Sequence, residues 1–169
     1  MRHPTHLIVT LLLVFCVGSA ARAQTSVANT IVVEQPFARA TPKGAMTGAA
    51  YMTLLNNGAS ADRLVGATTP VADKVQFHQA SEENGVSRMR ELHSVDLESG
   101  AKVSFKPGDM HMMIVGLKQP LVQGQTLSLA LQFEKAGNIE VTVPIQGIGA
   151  MQHSNVNSMT PGTDGAMKK

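Results

Sequence analysis

From Thr30 onward, apolar and polar residues alternate along the chain with a period of two. The cleanest stretches are residues 127–133 (LSLALQF) and 139–145 (IEVTVPI). That period belongs to half-buried strands, whose successive side chains point to opposite faces. Short β-like runs are expected at 31–34, 49–55, 63–67, 74–78, 86–95, 102–105, 111–117, 126–133 and 139–144. Gly, Pro, Asn and Asp punctuate them, and Asn56-Asn57-Gly58 and Ala136-Gly137-Asn138 read as hairpin turns. No stretch carries a capped helical period of useful length, and no internal repeat is visible. Many short strands at this spacing predict an all-β chain, an antiparallel β-sandwich or barrel.

The ends fall outside this pattern. Arg2 and His3 lead into an apolar run at 7–17, and Ala21-Arg22-Ala23 follows. A basic start, a short apolar stretch and an A-x-A site describe a secretory leader, and the run is too short to span a bilayer. Cys16 follows Phe15 inside that run, so the small residue that a lipid-modified Cys requires before it is missing. The expected organisation is a cleaved signal peptide at 1–23, one β-sandwich domain at 24–147 and a Gly/Asn/Ser-rich tail at 148–169. The expected location is the bacterial periplasm. A tail of that composition buries too little to offset its ordering entropy and is expected to be flexible.

Composition changes the picture once the leader is removed. Arg2 and Arg22 leave with it, and the fourteen basic residues become twelve against twelve acidic ones. A neutral domain gives no reason to expect nucleic acid or an anionic membrane as partner. The single Cys also leaves, which excludes disulfides, thiol nucleophiles, iron–sulfur ligation and thiolate-bound blue copper. Four His and nine Met remain in the mature chain. No Ser-His-Asp order, paired carboxylates or cofactor loop argues for an enzyme.

Those imidazoles and thioethers concentrate just after a Pro107-Gly108 turn, in Met110-His111-Met112-Met113. In a strand, His111 and Met113 share one face while Met110 and Met112 take the other. In a helix, His111 and Met113 would stand about 200° apart. Only the strand aims an imidazole and a thioether at one atom, and such a pincer suits Cu(I). A Met-rich core strand is the competing reading. In 74–78, Val75 and Phe77 share one face, leaving His78 on the polar one, where an ordinary solvated His also fits. Met89 sits between Arg88 and Arg90 and shares its face with Glu91 and His93, poor company for a core Met. His93 reads as a surface residue or a substitute ligand. Met46 and Met52 read as gap-fillers in the core.

The spacing of His78, ten residues, Met89, twenty-one residues, His111, one residue, Met113 is similar to the signature of the periplasmic copper chaperones of the PCu(A)C type. Residues 36–42 (PFARATP), 48–58 (GAAYMTLLNNG) and 116–121 (GLKQPL) also resemble that family, so the likeness extends over 31–146. The resemblance implies a cupredoxin-like or immunoglobulin-like β-sandwich holding one Cu(I) near its surface on His78, Met89, His111 and Met113. It implies a non-enzymatic carrier supplying copper to cytochrome c oxidase subunit II, notably its dinuclear copper site, or to another copper chaperone. Gln79 departs from the pattern, since many members carry Met directly after the first His.

The residue chemistry agrees with that implication. Thioethers favour soft Cu(I), imidazole accepts either oxidation state, and zinc has little use for thioethers. A periplasmic carrier also has reason to avoid Cys, which that compartment oxidises. The tail holds Met151, His153, Met159 and Met167 as a further candidate copper site, where His153 suits Cu(II). The protein is expected to be a monomer. Copper buffering, or a metal-free interaction module, remains the alternative function.

Overall fold

A computed structural model describes residues 30–83 and 85–151. The expected leader at 1–23 and most of the tail lie outside the described residues. The described residues form ten strands: β1 (Ile31–Arg39), β2 (Thr47–Asn56), β3 (Asp62–Thr68), β4 (Lys74–Glu83), β5 (Val86–Leu92), β6 (Val95–Leu97), β7 (Lys102–Phe105), β8 (Met110–Val115), β9 (Thr126–Phe133) and β10 (Gly137–Gln146). Their hydrogen-bonded order is β5-β4-β8-β2-β1-β10-β9-β3-β6, with β7 paired to β2. Strands β1, β2, β4, β5, β7 and β8 form one layer, and β3, β6, β9 and β10 the other. The layers join where β1 runs parallel to β10 at Ala38–Ile145 and Arg39–Gln146.

The alternation read from the sequence is what buries the core. Along β9, Leu127, Leu129, Leu131 and Phe133 point inward, and along β10 so do Ile139, Val141, Val143 and Ile145. Met52, Leu54, Met112 and Ile114 from the first layer close on Leu64, Leu129 and Val143 from the second in a single cluster. Burying each such side chain contributes about 1.5–3 kcal/mol, so this two-layer cluster is the main stabilising feature of the fold. The all-β sandwich expected from the pattern is therefore borne out.

Three local expectations are corrected. The run expected to end at Glu34 continues to Arg39 through a bulge at Glu34/Phe37, where Gln35 adopts φ 49°. Pro36 falls within the bulge, where a strand tolerates a residue that has no N–H to donate. The run expected as 86–95 is two strands, because the chain leaves the edge of one layer after Leu92 and enters the other at Val95. Asn56-Asn57-Gly58 does not close a hairpin, since β2 and β3 lie in different layers. Instead the buried Asn56 amide donates to the Ser60 and Leu97 carbonyls, and its oxygen accepts from Gly58 N–H. That amide ties the crossover to β6.

The β9–β10 hairpin closes through Glu134, Lys135 and Ala136, with Gly137 at φ 75°. Asp62 holds that turn: its carboxylate accepts N–H bonds from Arg63, Lys135 and Ala136 at 2.7, 2.9 and 2.9 Å. Burial pushes this carboxyl up, but the bonds from Lys135, Arg63 and Ala136 outweigh it and hold it below its ordinary value. Asp62→Ala should cost about 1–3 kcal/mol at pH 7, read from denaturant midpoints. Because the folded value is the lowered one, the carboxylate's contribution is complete above about pH 4 and fades as pH falls further. The gap between the native protein and Asp62→Asn should therefore shrink in acid.

Candidate metal centre

The turn before β8 sets the direction of its side chains. Asp109 N–H donates to the Lys106 carbonyl at 3.2 Å, and Gly108 adopts φ 81°. Pro followed by a positive-φ Gly is the type II arrangement, and it delivers Met110 straight into the strand. Met112 and Ile114 are fully buried in the core. By strand parity, His111, Met113 and Val115 line the opposite, outer face of the sheet.

Neighbouring strands bring the other candidates to that same face. β4 runs antiparallel to β8 with His78 directly opposite His111, and their ring centroids are 5.8 Å apart. On its other side His78 faces Glu91 of β5, while Gln76 faces Met113 and Ala80 faces Met89. Met89 and Met113 are each a diagonal neighbour of His78, at a distance long side chains can bridge. The fold thus joins the two imidazoles and sets the thioethers at opposite corners around His78. Met89 is the outlying member, two strands from His111, and stands 55% exposed on the edge strand.

The nitrogen atoms carry the chemical information. His111 Nδ1 lies 2.9 Å from the Asp109 carbonyl oxygen. A carbonyl only accepts, so Nδ1 holds the proton and Nε2 keeps its lone pair. Both ring nitrogens of His78 are shut off from solvent and lack a hydrogen-bond partner. Leaving a buried polar group unsatisfied costs about 1–3 kcal/mol. A metal ion accepting the His78 lone pair would remove part of that penalty, so the pair fits an imidazole-ligated metal. Among the described residues, no three His, Cys, Asp or Glu side chains form a group able to hold a metal ion. Besides the imidazoles this face carries the Met89 and Met113 thioethers and the Glu91 carboxylate, which Gln76 already engages; the thioethers match a soft ion better than a hard one.

Several polar contacts around the pair could not be foreseen from sequence. The Gln79 amide donates to Asp109 Oδ1 at 2.5 Å, and Lys106 Nζ lies 3.3 Å from Asp109 Oδ2. The Gln79 bond does most to hold the Asp109 carboxyl below its ordinary value; burial opposes it and Lys106 adds to it. On the outer face Gln76 donates to Glu91 at 2.6 Å. Only the third dimension puts these pairs together. His93 falls beyond β5, where the chain turns between layers, so it does not continue the face of Met89. Met52 is core as expected, whereas Met46 is 65% exposed and is not.

The start of the expected tail is attached to the sheet. Arg39 donates through Nε to the Ala150 carbonyl at 2.7 Å and through Nη2 to Met151 Sδ at 3.1 Å. Its guanidinium also covers the Tyr51 ring, 5.3 Å from the centroid. Met151 is thus a hydrogen-bond acceptor on the sandwich. His153, Met159 and Met167 lie outside the described residues.

Comparison with known proteins places this arrangement in a family. The profile described as "LpqE-like: Putative lipoprotein LpqE-like" matches residues 31–145. The chain belongs to the LpqE-like family. Within reach of that family is "Putative lipoprotein Lxx21020" of Leifsonia xyli subsp. xyli, 33% identical over 120 residues, which covers 70% of this chain and 71% of the relative. Among solved structures, the apo PmoF2 PCuAC domain is 27% identical with a TM-score of 0.63, covering 72% of this chain and 94% of the domain. The copper-bound PCuAC domain from PmoF2 is 25% identical at TM-score 0.61, covering 70% and 93%. CuI-DR1885 from Deinococcus radiodurans is 25% identical at TM-score 0.53, covering 75% and 85%. The PCu(A)C-type family expected from the His78-to-Met113 spacing is borne out. Among the described residues, no helix is long and apolar enough to cross a membrane.

Proposed function

We propose that the protein is an exported copper metallochaperone that carries one Cu(I) on His78, His111, Met113 and Met89 and releases it by ligand exchange. The observation that carries this reading is the His78 ring, with two buried, unpartnered nitrogens directly opposite His111. A neutral imidazole pair with nearby thioethers holds Cu(I) without a thiolate. The metal is cargo, so an edge position suits it. Met89 on an exposed outer strand is a ligand that a partner can displace first. The likeness to a copper-bound PCuAC domain and to CuI-DR1885 supports the choice of ion. The lipoprotein names of the family and of the Leifsonia relative support export, and the leader read at 1–23 supports the periplasm. The acceptor of choice is the dinuclear copper site of cytochrome c oxidase subunit II.

Titration with Cu(I) against a chromophoric competitor tests the binding step, and transfer to a purified oxidase subunit II tests the acceptor. One tight ion per domain is the expected result. Several weak ions would point to buffering, and none would leave a metal-free module. Metal binding requires neutral imidazoles, so affinity should fall in acid as they protonate.

Met151, His153, Met159 and Met167 remain the proposed secondary site, with His153 a Cu(II) ligand. Truncation after Met151 keeps the Arg39 contacts. It should leave the first Cu(I) ion and the thermal midpoint in place while removing capacity for a second ion. Loss of the first ion on truncation would mean that the tail supplies a primary ligand.

A further inference from the structure

Gln79 stands next to His78 in sequence, yet strand parity turns it to the opposite side of β4. There its amide donates to Asp109 Oδ1 at 2.5 Å and to the Ala80 carbonyl at 2.9 Å. Asp109 lies in the turn that opens β8, and its own carbonyl is the acceptor for His111 Nδ1 at 2.9 Å. Ala80 N–H points to that same carbonyl at 3.4 Å. Lys106 Nζ reaches the second carboxylate oxygen at 3.3 Å. The Asp109 residue is therefore fixed at both ends. Its side chain is anchored to β4 and to the turn, and its main chain is aimed at the His111 ring.

We infer that Gln79 is a positioning residue for His111, acting through Asp109, and that position 79 is not a ligand position. The inference rests on the reading of His111 as a copper ligand. Its physical content is the tautomer. Holding the Asp109 carbonyl against Nδ1 keeps the proton there, so the Nε2 lone pair stands ready on the outer face. Without the Gln79 bond, the turn at 106–109 is tied to β4 only through the main chain, and the carbonyl loses its fixed direction. A side chain at 79 faces away from His78, so even a Met placed there serves the turn and not the ion.

The test uses the metal-free mature protein and a set of variants, with two readouts. Long-range nitrogen–proton correlation spectra report the His111 tautomer directly, and Cu(I) titration against a chromophoric competitor reports affinity. Wild type should show His111 protonated at Nδ1. Gln79→Ala and Asp109→Ala should each give mixed tautomers and lower Cu(I) affinity about 10-fold, the range typical of residues that orient a metal-binding His. The double variant should be no weaker than either single one, because the two residues form one bracket. Asp109→Asn keeps an acceptor for Gln79 and should stay near wild type. Gln79→Met conserves bulk in case the alanine variant folds poorly. It should match Gln79→Ala in tautomer, with X-ray absorption of its Cu(I) form counting the same number of sulfur ligands as wild type.

An unchanged His111 tautomer in both Gln79 variants would overturn the inference, and an added sulfur ligand in Gln79→Met would overturn the assignment of position 79. His111→Ala is the reference for the underlying reading. If it too leaves Cu(I) affinity intact, His111 is not a ligand, and the copper role fails together with the positioning role. If His111→Ala abolishes binding while both Gln79 variants leave the His111 tautomer unchanged, only the positioning role fails.

Discussion

His78→Ala should abolish tight Cu(I) binding while leaving the thermal midpoint unchanged or slightly raised. The loss follows from position: His78 pairs directly with His111 and has both thioethers as diagonal neighbours. Residues that merely orient a metal-binding His already cost 10–100-fold in affinity when removed, so loss of a proposed direct ligand should exceed about 100-fold. The stability expectation has a separate cause. Both ring nitrogens are buried and lack a hydrogen-bond partner, a penalty of about 1–3 kcal/mol that the substitution removes along with some packing. Asn56 supplies the contrast, because it is buried with its amide fully engaged. Asn56→Ala should lower the midpoint. A His78→Ala protein that unfolds easily yet still binds Cu(I) tightly would make His78 a structural residue and sink the proposed site.

What the sequence made legible, and what it did not, divides along a physical line. Strands β7 and β9 fall where the alternation puts them, and the facing of Met112 inward follows from period two alone. Local pattern suffices wherever one face of a strand meets the core. It fails at 79–83, which have no apolar face yet form strand, because the ribbon of β4 and β5 is held by cross-strand pairing beyond the core. It fails at Pro36, where a bulge makes room for a residue that propensity excludes. It also fails for Asn56-Asn57-Gly58, whose turn chemistry is real but whose flanking strands belong to different layers.

The candidate centre divides in the same way. The residue types at 78, 89, 111 and 113 could be read from spacing, and so could the shared face of His111 and Met113. The direct pairing of His78 with His111 is a matter of register between distant strands. The acceptor for His111 Nδ1 is a backbone carbonyl, an atom every residue possesses. No pattern of side chains identifies it.

Met112 and Met113 are adjacent, chemically identical and expected to answer oppositely to the same substitutions. Met112 is completely buried in the two-layer core, while Met113 is half-buried on the outer face opposite Gln76. Met112→Ala removes core volume and should cost about 2–5 kcal/mol. Met113→Ala should cost far less, because its site is open to collapse and to water. Leucine separates packing from ligation: it nearly conserves volume, so each Leu variant should lose less than about 1.5 kcal/mol. Met113→Leu deletes the sulfur that Cu(I) would use and should weaken binding strongly, as should Met89→Leu on the edge strand. Met112→Leu should leave Cu(I) affinity as it is, because its sulfur faces the core. Denaturant midpoints and competitor titrations on these variants give the comparison directly. If Met112→Leu weakened Cu(I) as much as Met113→Leu, with both proteins folded, the ion would have to lie on the core side of β8, and the outer-face site would be wrong.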